Sequence, residues 1–127
     1  MNRGIKMTSI KIEIKPFVES MEETIEAVKR LEKGEKVKLN KLVFNDIETF
    51  RKILTKERMR ILSYIKYKKP NSIYELAKGL DRDWRLVSND VSLLNSLGLV
   101  KLEKKKEQRE AIKPTVNFSR MDIRIAI

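Results

Sequence analysis

The chain contains no cysteine and no histidine. Their absence removes disulfides, thiolate nucleophiles, imidazole bases and the usual zinc ligands together. Carboxylates are plentiful, but no metal motif, phosphate loop or activated nucleophile accompanies them, so neither an enzyme nor a cofactor is expected. Four glycines and three prolines leave no room for a Gly/Ser linker or a low-complexity tract, and no internal repeat is visible. No apolar run approaches the ~20 residues that a membrane span needs, and the first residues lack the apolar region of a signal peptide. We therefore expect a cytoplasmic protein with no membrane partner.

Negative charge is also in short supply. Against 29 Lys and Arg stand 18 Asp and Glu, a formal net charge of +11. An ion-rich surface of the thermophile kind would account for many charges of both signs. It does not account for the imbalance. A polyanion does, because each neutralised phosphate releases counterions. At 127 residues the chain is long enough to build a core without staples.

The pattern then turns from strand to helix. SIKIEI, residues 9–14, alternates small or apolar with charged side chains, the period of a half-buried strand. After Pro16, Val18, Met21, Ile25, Val28 and Leu31 recur at helical steps, with Glu22, Glu23 and Glu26 early and Lys29, Arg30 and Lys33 late. Gly34 is a natural stop. KVKLNKLVF, residues 36–44, reads equally as a connector or a short strand. Asn45 or Asp46 can cap a helix bearing Ile47, Phe50, Ile53 and Leu54, and Thr55 can cap another bearing Met59, Ile61, Leu62 and Ile65. Pro70 ends it, and Ser72 with Glu75 opens a short helix as a capping box. Finally, LVKLEKKKEQREAIKPTV suggests two strands around a charged loop, and DIRIAI a closing strand.

RDWRLVSNDVSLLNSLGLV, residues 82–100, carries the most specific signal. On a helical wheel, Val87, Val91 and Leu94 form one stripe, with Leu86, Asp90 and Leu97 along its edge. Arg85, Asn89, Ser92 and Ser96 gather opposite, with Ser88 beside them. A merely solvated face usually carries Lys and Glu, whereas compact donors and acceptors suit base edges and phosphates in a major groove. The short helix over 72–80 precedes this one by only Asp81 and Arg82, as in a helix-turn-helix. A ribbon tipped with Lys104, Lys105, Lys106 and Arg109 follows, as a wing would. Glu103, Glu107 and Glu110 dilute that tip and keep an ordinary solvated loop in view.

TKERMRILSYI, SIYELAKGLDRD, VSNDVSLLNSLGLV and the later KPTV together resemble the winged-helix transcriptional regulators of archaea and bacteria loosely grouped with MarR-like proteins. The matching positions are Thr55, Arg58, Ile61, Leu62, Ser72, Leu76, Ala77, Arg82, Asp83, Val87, Asp90, Val91, Leu94, Leu97, Gly98 and Leu99, within a region of roughly residues 42–118. The resemblance implies a winged helix-turn-helix fold, double-stranded DNA as ligand and usually a homodimer. Some members of that group act as antitoxin-type or autoregulatory repressors, with a toxin or the transcription machinery as protein partner.

The expected fold is therefore α+β: a winged helix-turn-helix over 42–118, an N-terminal strand and helix over 1–41, and a C-terminal strand over 119–127. The two flanking pieces are expected to build the dimer interface. A sequence-specific DNA-binding regulator is the expected function, and a sequence-neutral nucleic-acid or chromatin protein or an antitoxin-type winged helix is the alternative. Arg82, Arg85, Ser88, Asn89 and Ser92 are the candidates for groove contacts, and Lys104, Lys105, Lys106 and Arg109 for backbone contacts. Trp84 either stacks on sugar–phosphate or covers the core edge, the commoner role of a lone Trp. Asp83 is expected to cap the helix, and Asp90 to bond within the fold or to a nearby Arg. Arg58, Lys66, Lys68 and Lys69 are further flanking cations.

Overall fold

The computed structural model describes residues 8–34, 41–104 and 112–127. Among them run ten elements: β1 (Ser9–Ile14), α1 (Phe17–Glu32), β2 (Lys41–Phe44), α2 (Ile47–Ile53), α3 (Lys56–Lys68), α4 (Ile73–Leu80), α5 (Trp84–Ser96), β3 (Lys101–Lys104), β4 (Ile112–Thr115) and β5 (Arg120–Ile125). The fold is α+β, as the sequence leads one to expect. It divides into two compact units, residues 1–53 with 118–127, and residues 54–117. The boundary expected at 41/42 thus falls at 53/54. The reason is strand pairing: β2 belongs to the sheet of β1, and α2 follows β2 directly.

The first unit is a three-stranded, all-parallel sheet in the order β2-β1-β5. The two alternating terminal segments pair with each other within one chain, Ile12 opposite Ile123 and Ile14 opposite Ile125. On the other side Ile12 faces Leu42 and Ile14 faces Phe44. Because side chains alternate along each strand, this register gathers the isoleucines, Leu42 and Phe44 on one sheet face. Ile12, Ile14 and Phe44 are buried there, and the Phe50 ring of α2 meets Phe44 edge to face at 5.4 Å. Asp46 starts α2 by accepting from the Thr49 backbone N–H at 2.8 Å.

The opposite sheet face is charged. Lys15, nearly fully buried, donates to Glu23 of α1 at 2.5 Å and lies 2.7 Å from Glu13. Lys41 of β2 reaches the same two carboxylates, Glu23 at 2.5 Å and Glu13 at 3.4 Å. Two lysines and two glutamates thus close a neutral box that ties α1 to β1 and β2. Ala27, four residues after Glu23 on the same helix face, is buried. The amphipathic stripe of α1 points the other way, into solvent.

The second unit is a winged helix-turn-helix. Thr55 caps α3 and Ser72 caps α4, each accepting from the backbone N–H three residues on, while Glu75 takes the N–H of Asn71. Ile61, Leu62 and Ile65 of α3, Leu76, Ala77 and Leu80 of α4, and Val87, Val91 and Leu94 of α5 form the core. Gly98, at φ +79°, makes the left-handed turn that sends Leu99 and Val100 back into that core. Gly79 has a different role. The Tyr64 ring lies where a Cβ at position 79 would stand, so the missing side chain admits an aromatic against α4. β3 and β4 pair antiparallel, Lys101 opposite Thr115 and Lys104 opposite Ile112.

Charge holds the three helices in register. Asp90 of α5 accepts from Arg58 Nε of α3 at 3.1 Å and from both terminal nitrogens of Arg82, in the α4–α5 turn, at 3.3 Å. Arg82 also lies 3.8 Å from Glu57.

Two outcomes follow from these ion clusters. Hydrogen bonds from Lys15 and Lys41 hold the Glu23 carboxyl down to about 2, against an ordinary value of 4.5. The unfolded chain therefore takes up this proton first as the pH falls. The contribution of Glu23 is complete above about pH 4.5 and is lost as the pH drops toward 2. In acid titrations followed by circular dichroism, Glu23→Gln should be less stable at neutral pH and should show a flatter stability profile across that window. Asp90→Ala removes charged acceptors from two arginines and should cost about 2 kcal/mol in urea denaturation, with Asp90→Asn losing less.

Candidate nucleic-acid interface

Asp83 begins α5 by accepting from the Arg85 backbone N–H at 2.7 Å, which orients the first turn of the helix. Val87, Val91 and Leu94 are fully buried, so the rotation of α5 about its own axis is set by its core stripe. Arg85, Asn89 and Ser92 consequently lie on the exposed side, with Ser88 half-buried beside them. No carboxylate pairs with the Arg85 guanidinium among the described residues, which leaves its planar donor set open to a ligand. Ser96 is less available, because its hydroxyl donates back to the Leu93 carbonyl at 2.6 Å.

Three of the sequence-based assignments change. Arg82 is half-buried and its guanidinium is engaged by Asp90, so it braces the helices from within and is not presented with Arg85. The expectation that Asp90 bonds inside the fold holds for the same reason. Trp84 is 53 % exposed and does not seal the core edge. It is the first residue of α5. Leu86, placed at the edge of the core stripe by its wheel angle, is 55 % exposed. Its angle of about 100° from Val87 suits either side of the boundary, and the core ends before reaching it. Leu86 is thus an exposed apolar side chain next to Arg85 on α5.

The wing is present as β3 and β4, with Lys104 exposed at the end of β3. Lys105, Lys106 and Arg109 lie outside the described residues. Among the flanking cations, Arg58 serves Asp90, and Lys68 is exposed. Lys66 and Lys69 of the α3 end line one open cleft with Lys113, Pro114 and Thr115 of β4. This brings three cations together next to the wing strands, a grouping that their separation in sequence conceals. The charge is concentrated accordingly. Residues 54–117 hold fifteen Lys and Arg against eight Asp and Glu, a net +7 of the chain's +11.

A helix presenting an unpaired Arg, an Asn and a Ser, on a unit with this charge, is a surface that can donate to phosphates and to base edges. No group of three or more Asp or Glu side chains able to hold a metal ion occurs among the described residues, and no helix there is long and apolar enough to cross a membrane. A search of the curated proteins finds no match. A family model does match, over residues 53–123, spanning α3, the helix-turn-helix, the wing and the first residues of β5. That match covers more than half of the chain, and the protein belongs to the HVO_A0114 family.

Proposed function

We propose that the protein is a sequence-specific, double-stranded DNA-binding regulator of transcription, of the repressor or autoregulator kind that the MarR-like resemblance implies. One observation carries the reading: α5 buries its aliphatic stripe completely and presents Arg85, Asn89 and Ser92, while the neighbouring arginines Arg58 and Arg82 are held by Asp90. Arg58 and Arg82 thus act as braces, and Arg85 is left to the exposed side of the helix. In the proposed complex α5 lies in the major groove, Arg85 donates bidentately to a guanine, and Asn89 pairs with an adenine. Leu86 sits where an apolar side chain can meet a thymine methyl. The Trp84 ring, at the helix start, stacks on sugar–phosphate. Lys104 and the wing residues Lys105, Lys106 and Arg109 act on the backbone without regard to sequence.

A sequence-neutral binder is the second reading, and the net +7 of residues 54–117 favours it, since that charge serves any duplex equally. Selection of bound duplexes from a random pool near physiological salt separates the two. A regulator should enrich one motif and hold it roughly 10³-fold or more above random sequence. Recovery of no motif rejects sequence-specific regulation. Arg85→Ala should cost about 1–3 kcal/mol on the selected site and relax preference at one position. Lys104→Ala should weaken all duplexes alike and lower the salt slope by about one.

A further inference from the structure

The open cleft at the end of α3 belongs to the second unit, but the reading of DNA by α5 makes no use of it. It measures about 620 Å³ and is lined from two stretches, within residues 65–69 and 113–117, with no residue of α5 among them. Its charge sets it apart. Among the described residues six lysines and arginines are not exposed: Lys15, Lys41, Arg58, Lys66, Arg82 and Lys113. Lys15 and Lys41 share Glu13 and Glu23, and Arg58 and Arg82 share Asp90. Lys66 and Lys113 are the two for which no carboxylate partner occurs among the described residues, and both line the cleft. Lys69 joins them there, and no Asp or Glu does.

We infer that this cleft binds a nucleoside di- or triphosphate, with Lys66, Lys69 and Lys113 on its phosphates and Tyr67 against its base. Two half-buried ammonium groups on one cleft lose hydration and repel each other, and an entering anion offsets both costs. The C-terminal end of a helix attracts cations, which accounts for Lys66 and Lys69. It does not account for Lys113, which arrives from β4. The helix end supplies only about half a negative charge, against three lysines. The excess of between two and three positive charges suits a phosphate chain better than a single carboxylate.

Size and lining narrow the ligand further. A bare phosphate would leave most of the cleft empty, whereas its volume falls within the roughly 300–1,000 Å³ of sites for small organic ligands. The Tyr67 ring is 77 % exposed and offers a face on which a base can stack. Thr115 and Asn117 bring a hydroxyl and an amide to the same cleft. A peptide added as a strand is a poorer fit. β4 pairs with β3 on one side only, but Pro114 lacks the N–H that strand addition along the other edge would use. A duplex gripped by the wing is also a poorer fit. Thr115 lies opposite Lys101 at the base of the ribbon, and the tip leaves from Lys104 and Ile112 at the other end.

The inference stands apart from the DNA-binding reading, because its main test contains no DNA. Calorimetric titration of the full chain with ATP, without divalent cations, should show one saturable site. In amide NMR spectra the same titration should move residues within 65–69 and 113–117. Lys66→Ala and Lys113→Ala should each raise the dissociation constant about tenfold and leave the melting temperature unchanged. Lys56→Ala removes an equal charge at an exposed position at the start of α3 and should leave binding as it was. Tyr67→Ala should weaken ATP about tenfold and leave inorganic tripolyphosphate unaffected. The absence of saturable ATP binding overturns the inference, as does a Lys56→Ala effect equal to that of Lys113→Ala. Equal responses of ATP and tripolyphosphate to Tyr67→Ala overturn the nucleoside assignment. A random duplex that displaces ATP and moves the same amides also overturns the inference, since the cleft would then hold the DNA backbone.

Discussion

The carboxylate of Asp90 receives Arg58 from α3 and Arg82 from the turn before α5, and most of what the second unit presents to solvent depends on that convergence. Three aliphatic stripes can pack against one another with some freedom to rotate and slide, because dispersion contacts have little directional preference. Charged hydrogen bonds at 3.1–3.3 Å do have one. By joining α3, the α4–α5 turn and α5 at a single group, Asp90 turns a packed set of helices into a body with a defined register. The outward direction of Arg85 is a consequence of that register. The same interaction also determines which arginines are free, since Arg82 stands only three residues before Arg85 and yet has an internal partner.

How much of this was legible beforehand depended on whether the deciding force was local. Caps at Thr55, Ser72 and Asp83, stops at Gly34 and Gly98, and the stripe of Val87, Val91 and Leu94 are written into short spacings, and the structure shows each in place. The winged helix-turn-helix was readable for that reason, as was the outward side of α5. What escaped were outcomes set by distant partners. Arg82 looked like a reader until its three-residue neighbourhood was joined by Glu57 and Asp90. Leu86 was placed only at the edge of the stripe and Trp84 was left between core cover and sugar–phosphate, and both are more than half exposed, because the extent of the core depends on helices they do not belong to. The boundary near 53 escaped for a similar reason: nothing within KLVF reveals that it pairs in parallel with a strand 30 residues earlier.

The first unit shows the same contest with another result. Its parallel sheet is narrow, and Ile12 and Ile14 of the central strand and Phe44 of β2 are buried, while Ile123 and Ile125 at the β5 edge remain about half exposed. On the other face, ion pairing settles the orientation of α1. An amphipathic helix placed on an apolar sheet face would bury its stripe. Here the sheet face offers Lys15, Glu13 and Lys41, and the helix answers with Glu23 and the small Ala27. Residue pattern alone indicates that α1 has an apolar side. Only the location of its ionic partners reveals that this side is turned outward.

The proposed recognition of DNA meets an energetic limit. In the proposed complex one α5, offering Arg85, Asn89 and Ser92 with Leu86 adjoining, would discriminate only a few base pairs. Each correct pair is worth about 1–3 kcal/mol. Such a face, acting once, competes poorly against the very large number of non-specific duplex positions that the net positive charge also attracts. Doubling the reader by two-fold symmetry adds the discrimination of two half-sites while leaving each helix unchanged. If the proposed function holds, a small basic domain of this kind would bind DNA readily by its charge but would select among sequences only by reading them twice.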